Sequence, residues 1–207
     1  MDINKFLKLP IMGILRGAKP DIIEPLIEAL IGAGLETLEI TLNTQGAPGL
    51  IAKAKRLAGN KLTLGAGTVL DMDSLKSALD SGATFIVSPV LIEDVTRCCV
   101  KNKIPVFPGA LTPEEIYRAW QAGAAMVKVF PAKFFGPEYF KEIRGPFNDI
   151  RLLACSGVTP QNMNDYFQAG VSAVTFGSSV FRPDWLEKRD FAGIAGVVAK
   201  YIRGYKK

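Results

Sequence analysis

The chain has 207 residues, of which 48% are hydrophobic and 22% charged, and this composition suits a globular protein with a sizeable core. Its net charge of +5 is a mild basic excess, located in part at Lys206 and Lys207, so no nucleic-acid partner is expected. No run of apolar residues is long enough to be a membrane span, so we expect a cytoplasmic protein without a membrane partner.

One unit repeats along the chain: a short apolar run, then a polar stretch with helical periodicity, at intervals of roughly 20–26 residues. Eight runs are predicted to be strands: Ile11–Arg16, Thr37–Thr41, Leu62–Thr68, Phe85–Pro89, Pro105–Ala110, Met126–Pro131, Arg151–Ser156 and Ala173–Ser178. Eight such units without a break in composition predict an α/β protein, a single (β/α)8 TIM barrel over residues 1–207. The alternative is an open doubly wound sheet, but the turn after the first strand lacks the Gly-rich dinucleotide pattern.

Helix signals fall between the predicted strands. Thr112-Pro113-Glu114-Glu115 is a capping box with proline at the first helical position, and Thr159-Pro160-Gln161 and Lys19-Pro20-Asp21 indicate similar starts. Glycine is predicted to end four helices just before the next strand, at Gly34, Gly82, Gly123 and Gly170. A last amphipathic helix is expected from about Asp184 to Arg203.

A short leading helix is also predicted, and it contains Phe6 and Leu7. Because it precedes the first strand and carries large apolar side chains, we expect it to close one end of the barrel.

Lys128 lies in the middle of an apolar run, 124–131, that predicts a buried strand. Burial disfavours the ammonium form of a lysine, and a neutral amine in a dry pocket is a nucleophile for a ketone or an aldehyde. The alternatives are a lysine paired with a buried carboxylate and one whose ammonium group reaches water at the end of the strand.

Side chains alternate between the two faces of a strand. If Lys128 points into the barrel, Met126 and Phe130 do so too, while Val127 and Val129 face the helices. The same alternation directs Glu39 inward. One carboxylate and one amine are therefore expected to share the mouth of the barrel, as a catalytic pair or as a structural ion pair.

Barrel active sites lie at the carboxyl ends of the strands. At those ends the sequence has, besides the pair, Arg16, Asn43, Thr68, Pro89 and Phe130, which are therefore candidate site residues.

The last two predicted strands end in small residues. These are Ser156 and Gly157, and then Gly177, Ser178 and Ser179. Many barrels bind phosphate at this position through backbone N–H groups, so these five residues are predicted to bind phosphate. The alternative is an ordinary strand-to-helix turn.

The chain contains no histidine and three cysteines, two of them adjacent at Cys98 and Cys99. This composition removes Ser-His and Cys-His nucleophile pairs and His-ligated zinc or iron. The cysteines are interpreted as reduced thiols. No metal and no cofactor are expected.

The chain resembles the class I aldolases that cleave 2-keto-3-deoxy-6-phosphogluconate (KDPG), its 6-phosphogalactonate isomer or 4-hydroxy-2-oxoglutarate (KHG). The motifs that carry the resemblance run in chain order over nearly the whole sequence: Ile14-Leu15-Arg16-Gly17, Leu38-Glu39-Ile40-Thr41-Leu42, Gly65-Ala66-Gly67-Thr68-Val69, Pro108-Gly109, Lys128-Val129-Phe130-Pro131-Ala132 and Gly145-Pro146-Phe147.

The resemblance implies that Lys128 forms a Schiff base and that Glu39 is the general acid-base. It implies that Arg16, Thr68, Pro89 and Phe130 line the substrate site and that the last two strand ends hold the phosphate. The implied ligands are a 2-keto-3-deoxy sugar-acid phosphate and pyruvate, and the implied assembly is a homotrimer.

Two positions depart from the family pattern. Many members have arginine where this chain has Asn43, and the 6-phosphogalactonate enzymes are similar to this chain there. Many members read Thr-Gly-Gly where this chain has Cys155-Ser156-Gly157. These departures leave the substrate open. The other interpretations are a phosphate-binding barrel isomerase or epimerase and a non-catalytic binder of a phosphorylated ligand.

Overall fold

The computed structural model describes residues 1–205; Lys206 and Lys207, the last two residues of the predicted domain, lie outside the described residues. The strands are β1 Ile11–Leu15, β2 Thr37–Thr41, β3 Thr63–Gly67, β4 Ile86–Val87, β5 Val106–Phe107, β6 Gly109–Ala110, β7 Val127–Val129, β8 Leu152–Ala154 and β9 Ala173–Phe176. The helices are α1 Ile3–Phe6, α2 Ile23–Gly32, α3 Ala47–Ala58, α4 Met72–Asp80, α5 Glu93–Lys101, α6 Pro113–Gln121, α7 Gly136–Arg144, α8 Met163–Gln168, α9 Pro183–Glu187 and α10 Phe191–Gly204. Within residues 1–205, none of these helices has the length and apolar content needed to cross a membrane.

The strands form one parallel sheet in the order β5-β4-β3-β2-β1-β9-β8-β7-β6. The two outer strands of this order, β5 and β6, are halves of the fifth predicted strand, separated by Pro108. Proline has no N–H group for a strand ladder, which explains the interruption. The Pro108 carbonyl still accepts a hydrogen bond from the Lys128 N–H at 2.9 Å. The predicted (β/α)8 barrel is therefore confirmed, and it closes at Pro108.

The interior of the barrel and the layer between strands and helices are separate apolar clusters. Val127 and Val129 pack in the outer layer, whereas Met126 packs inside the barrel. The other large side chains of the interior are Met12, Phe85, Val87, Phe107 and Leu153. The predicted alternation along β7 is confirmed, and it directs Lys128 into the barrel.

The leading helix α1 plugs the amino-terminal end of the barrel, as predicted. Phe6 is buried in the interior cluster, and its ring stacks on Phe107 with 6.2 Å between ring centroids. Asp2 caps this helix, because its side chain accepts a hydrogen bond from the Asn4 N–H at 2.8 Å. The opposite end of the barrel is left for the strand-to-helix loops.

The predicted capping box is present at the start of α6. The Glu115 N–H donates to Thr112 Oγ1 at 3.3 Å, and the Glu115 carboxylate accepts from the Thr112 N–H at 2.8 Å. The four helix-ending glycines also adopt the predicted left-handed conformation, with φ between +86° and +92°.

Two other predicted helix starts are displaced. The helices α2 and α8 begin at Ile23 and Met163, each after a turn that contains the proline of the motif. At the second of these turns Thr159 and Asn162 hydrogen-bond each other reciprocally, in the manner of a capping box, but the regular helix follows only afterwards.

The prediction of a single last helix is wrong, because this segment forms two helices, α9 and α10. Arg189 lies between them with φ +56°, which a continuous helix does not allow. Asp190 then caps α10, since its side chain accepts a hydrogen bond from the Gly193 N–H at 2.9 Å.

The interior is so closely filled that Gly65 has no room for a side chain. A Cβ atom built there would lie 2.3 Å from the ring of Phe85, the residue that precedes the neighbouring strand β4. Gly65-Ala66-Gly67 is therefore an adaptation to interior packing.

We predict that Gly65→Ala lowers the free energy of unfolding by about 1–3 kcal/mol, because the added methyl group overpacks the interior. Gly196→Ala is the matched control, since Gly196 lies inside α10 with no atom within 4 Å of the added Cβ. That variant should be more stable by about 0.5–1 kcal/mol. Urea denaturation of both variants measures the difference, and equal stabilities would contradict the packing argument.

Candidate active site

The candidate residues lie at one end of the barrel. All strand pairs are parallel, so the carboxyl ends of the strands surround a single mouth. Each predicted site residue either lies on a strand near that end or follows it directly: Arg16, Glu39, Asn43, Thr68, Pro89, Lys128, Phe130, Ser156, Gly157, Gly177, Ser178 and Ser179.

Lys128 is the central residue of β7, between Gly109 of β6 and Leu153 of β8 in the sheet register. Only 8% of the residue is exposed. Its Nζ lies 5.6 Å from the ring centroid of Phe130, the next inward-facing residue along the chain. The amine is therefore held inside the barrel, against an aromatic side chain that stands at the rim.

Glu39 is the second ionisable group inside the barrel. It is 1% exposed, and its Oε2 atom has no hydrogen-bond partner among the described residues. Burial raises the pKa of Glu39, and the nearby charges of Lys128 and Arg16 act in the opposite direction. Among residues 1–205 no ion pair joins Glu39 to Lys128 or to Arg16. An uncompensated buried carboxyl group is costly, and such groups concentrate at functional sites.

Gly67 makes the space for this carboxyl group. A Cβ atom at Gly67 would lie 1.5 Å from Glu39 Oε1, far inside the contact distance of non-bonded atoms. Gly109 has a related role across the barrel, because a Cβ atom there would lie 2.0 Å from the Pro89 carbonyl oxygen. Gly67 and Gly109 thus allow the Glu39 carboxyl group and the Pro89 carbonyl to lie directly against the neighbouring backbone.

A buried pair of threonine hydroxyls organises the loop that carries Arg16. The Gly17 N–H donates to Thr44 Oγ1 at 2.9 Å, and Thr44 Oγ1 lies 3.2 Å from Thr41 Oγ1. Thr41 in turn donates to the Leu15 carbonyl at 3.5 Å. These bonds connect the ends of β1 and β2 and fix the backbone on both sides of the exposed Arg16. Thr44 was missed by the sequence analysis, because a threonine in a loop carries no signal of a contact 27 residues away.

Two rim residues other than glycine have left-handed backbone conformations. Thr68 has φ +59° and Ser156 has φ +84°. The conformation is particularly unfavourable for a β-branched residue such as threonine. Strained backbone of this kind clusters at functional sites, where the surrounding structure holds it in place.

The turns after β8 and β9 present several unused backbone donors. No protein acceptor in residues 1–205 receives a hydrogen bond from the N–H groups of Ser156, Gly157, Val158, Gly177, Ser178 and Ser179. The Gly157 carbonyl is engaged with the Asn162 side chain at 3.0 Å. Free N–H groups on consecutive residues form a concave anion-binding surface.

A cleft of about 510 Å³ adjoins the mouth on the side of β4 and β6. Pro89 and Phe130 line it, and Phe130 is 43% exposed. Asn43 lies exposed in the loop after β2. The rim is thus partly apolar, while Lys128 and Glu39 are buried behind it.

Cys155 is an interior residue that the sequence analysis did not name as part of the site. It follows β8, it is 4% exposed, and its surroundings include Lys128, Glu39 and Arg16. Burial raises the pKa of its thiol, so the group stays neutral at physiological pH. The alternation along β8 could have identified it, since Leu153 also points into the barrel.

The mouth therefore combines an amine, a carboxyl group, a guanidinium group and a thiol. A buried amine can attack a ketone, and a buried carboxyl group beside it can take up and return a proton. Within residues 1–205 no cluster of His, Cys, Asp and Glu side chains could hold a metal ion.

Comparison with known proteins identifies the family. The family model for KDPG and KHG aldolase matches residues 3–197. The 2-dehydro-3-deoxy-6-phosphogalactonate aldolase of Escherichia coli (strain K12) is 34% identical over 201 residues, which cover 97% of this chain and 96% of that protein. The 2-dehydro-3-deoxy-phosphogluconate aldolase of Pseudomonas aeruginosa is 40% identical over 161 residues, which cover 76% and 70%.

The fold is shared with these enzymes as well. A solved structure described as native KDPGal superposes with a TM-score of 0.89 at 33% identity, over 96% of this chain and 95% of the other. The resemblance of the motifs is thereby confirmed along almost the full length. The chain belongs to the KDPG and KHG aldolase family, and it is an aldehyde-lyase.

Proposed function

We propose that Lys128 forms a Schiff base with the C2 ketone of a 2-keto-3-deoxy-6-phospho sugar acid and that the enzyme releases pyruvate and glyceraldehyde 3-phosphate. The observation that carries the proposal is a nearly buried amine inside the barrel, next to a buried carboxyl group with an unpartnered oxygen. The names of the similar proteins support both the gluconate and the galactonate series as substrates. The unphosphorylated 4-hydroxy-2-oxoglutarate is the third proposed substrate, because the family model includes KHG aldolases.

The first steps make the substrate ready for cleavage. The neutral Lys128 amine attacks C2, and loss of water gives an iminium ion. The iminium withdraws electrons from the C3–C4 bond and so takes the place of a metal-polarised carbonyl.

Glu39 is the proposed proton carrier for the following steps. Its carboxylate takes the proton of the C4 hydroxyl while the C3–C4 bond breaks, and glyceraldehyde 3-phosphate departs. The remaining enamine receives a proton at C3, and hydrolysis of the iminium releases pyruvate and restores Lys128. Because burial raises the pKa of Glu39, both protonation states are accessible closer to neutral pH than for an exposed carboxyl group.

Arg16 is the proposed partner of the substrate carboxylate. A guanidinium group makes a bidentate, charge-assisted pair that the Asn43 amide cannot replace. The hydroxyl pair of Thr41 and Thr44 supports this role, because it fixes the backbone around Arg16. Thr68, Pro89, Phe130 and the neutral Asn43 complete the proposed substrate-binding rim.

The phosphate of the substrate is proposed to bind at the turns after β8 and β9, formed by Ser156, Gly157, Gly177, Ser178 and Ser179. The unused N–H groups of both turns support this assignment, since phosphate oxygens accept several hydrogen bonds at once. Gly157 packs directly against the backbone of Lys133, where a Cβ atom would lie 2.8 Å from the Lys133 Cα. A larger residue at that position would displace the turn.

Borohydride reduction in the presence of pyruvate should attach one pyruvyl group to the protein, on Lys128. The reason is that reduction traps the imine that pyruvate forms with a reactive amine. Peptide mass spectrometry locates the adduct. An adduct on another lysine, or none, would exclude the proposed mechanism.

Two variants separate imine formation from cleavage. Lys128→Arg should be inactive and should not trap pyruvate, because guanidinium stays protonated. Glu39→Gln should still trap pyruvate, whereas its cleavage rate should fall by about 10²–10⁴. Normal cleavage by Glu39→Gln would reduce Glu39 to a structural residue.

The raised pKa of Glu39 also predicts how stability depends on pH. Above about pH 4.3 the unfolded chain loses this proton, while the native protein still retains it. The free energy of unfolding therefore falls as the pH rises through the interval up to the native pKa, and it stays lower above that pKa. Glu39→Gln lacks this titration. The free energy of unfolding of the variant, measured relative to that of the wild type at the same pH, should therefore be higher near pH 8 than near pH 4.

Urea denaturation at the two pH values measures this relative change in stability. Glu142→Gln, on the exposed surface of α7, is the control and should show no such change. If the free energy of unfolding changes equally with pH in Glu39→Gln and in the wild type, the pKa of Glu39 is not raised in the native protein.

The homotrimer is a further part of the proposal. Large apolar side chains are exposed in the loops at the mouth, and Phe134 is the most exposed at 70%; the others are Leu70, Met72, Val90 and Phe135. Exposed apolar surface of this extent is typical of an interface between subunits. Sedimentation equilibrium should give about three times the mass of one chain.

A charge at Phe134 should weaken this association, so Phe134→Glu is expected to dissociate into monomers. Val100→Glu is the control, because Val100 is also exposed, at 43%, but lies on α5 away from these loops. A monomeric wild type, or a trimeric Phe134→Glu variant, would contradict the proposed interface.

A further inference from the structure

Tyr201 is a buried polar residue that the proposed chemistry does not use. It lies on α10, it is 1% exposed, and its ring stacks on Phe176 with 4.8 Å between centroids. Phe176 is the last residue of β9, immediately before the turn at Gly177. The tyrosine is therefore packed beneath one of the two turns to which the phosphate is assigned.

Tyr201 contacts the turn after β8 through its hydroxyl group and the end of β9 through its ring. The hydroxyl donates a hydrogen bond to the Val158 carbonyl at 2.8 Å, in the turn after β8. The ring packs on Phe176, the residue that precedes the turn after β9.

The hydrogen bond to Val158 is maintained at physiological pH. Burial raises the pKa of Tyr201 to about 12, so the phenol stays protonated and keeps its role as a donor. A buried hydrogen bond of this kind is a well-defined connection between a helix and a turn.

The connection is needed because strand pairing stops before the turns. The strands β8 and β9 pair only at Leu153 with Ala173 and at Ala154 with Val174. One residue further, Thr175 Oγ1 donates to the Ala154 carbonyl at 3.3 Å. Beyond that point, no backbone hydrogen bond within residues 1–205 joins the two turns.

We propose that Tyr201 is a positioning residue that holds the turns after β8 and β9 at the spacing required for both to bind one phosphate group. The inference rests on the proposed function, because it assumes that these turns receive the phosphate. Donors that converge on one anion must be placed within about 0.5 Å. Tyr201 supplies this constraint from the helix layer, without contact to the reacting carbons.

Tyr201→Phe tests the proposal, since it removes the hydroxyl and keeps the ring on Phe176. The KM for 2-keto-3-deoxy-6-phosphogluconate should rise by about three- to tenfold, the loss expected for one hydrogen bond. The kcat for this substrate, the kinetics with 4-hydroxy-2-oxoglutarate and the trapping of pyruvate should stay unchanged. A merely structural role of the hydroxyl would affect both substrates alike.

Tyr166→Phe is the matched control. Tyr166 is also buried, at 2% exposure, and it packs edge-on against Phe140, away from both turns. Its hydroxyl has no hydrogen-bond partner among the described residues. The KM values of this variant should equal those of the wild type. A rise in KM as large as that of Tyr201→Phe would overturn the proposal.

Phe176→Leu weakens the same connection at the end of β9, because it removes the ring on which Tyr201 stacks, and it decides the matter if Tyr201→Phe does not fold. It should raise the KM for the phosphorylated substrate selectively. In the double variant the KM should rise less than the product of the two single effects, because both changes disrupt one connection. Independent, fully multiplicative effects would overturn the proposal.

Calorimetric titration with inorganic phosphate tests the connection without reference to imine chemistry. Wild-type protein should bind phosphate, and Tyr201→Phe should bind it about three- to tenfold more weakly. Equal affinities, or no binding to the wild type, would overturn the inference about Tyr201. Failure of the wild type to trap pyruvate would instead overturn the Schiff-base mechanism, so the two failures are distinguishable.

Discussion

Two ionisable side chains, Lys128 and Glu39, are buried inside an apolar barrel. Within residues 1–205 no ion pair joins them. The architecture of the mouth depends on this unfavourable burial. An ion pair would stabilise the fold and at the same time occupy the amine and the carboxyl group. Their separation leaves both available to a ligand. The free-energy cost is offset by the closely packed layer below them, in which the rings of Phe85 and Phe107 lie 5.7 Å apart.

Glycine positions determine how close the reactive groups can lie to the backbone. Gly67 accommodates the Glu39 carboxyl group, Gly109 allows the approach of Pro89, and Gly157 allows the approach of Lys133. The segment Gly65-Ala66-Gly67 thus leaves space inside the barrel for the Phe85 ring and the Glu39 carboxyl group. Function and packing require the same small residues here, so an exchange at these sites would affect stability and activity together.

The buried part of the mouth and its rim are built from different kinds of structure. The buried amine and carboxyl group lie on the central strands β7 and β2, where regular hydrogen bonding fixes them. The rim is made of loops, and the residues that depart from the family pattern, Asn43, Cys155 and Ser156, lie beside or beyond the strand ends. Changes there alter the rim and leave Lys128 and Glu39 in place. Similarity to both galactonate and gluconate aldolases is consistent with this arrangement.

The sequence alone determined the eight-unit barrel, the plug at Phe6 and the inward direction of Lys128, because these follow from local properties: apolar period, helix signals and alternation along a strand. Only the tertiary structure decided the closure at Pro108, the break at Arg189 and the hydroxyl contacts of Thr44 and Tyr201. The hydrogen bond from Tyr201 to Val158 joins residues 43 positions apart. Such contacts depend on how complete elements pack, and no local pattern specifies them. The placement of Lys128 and Glu39 inside the barrel was therefore predictable, and the contacts of Thr44 and Tyr201 were not.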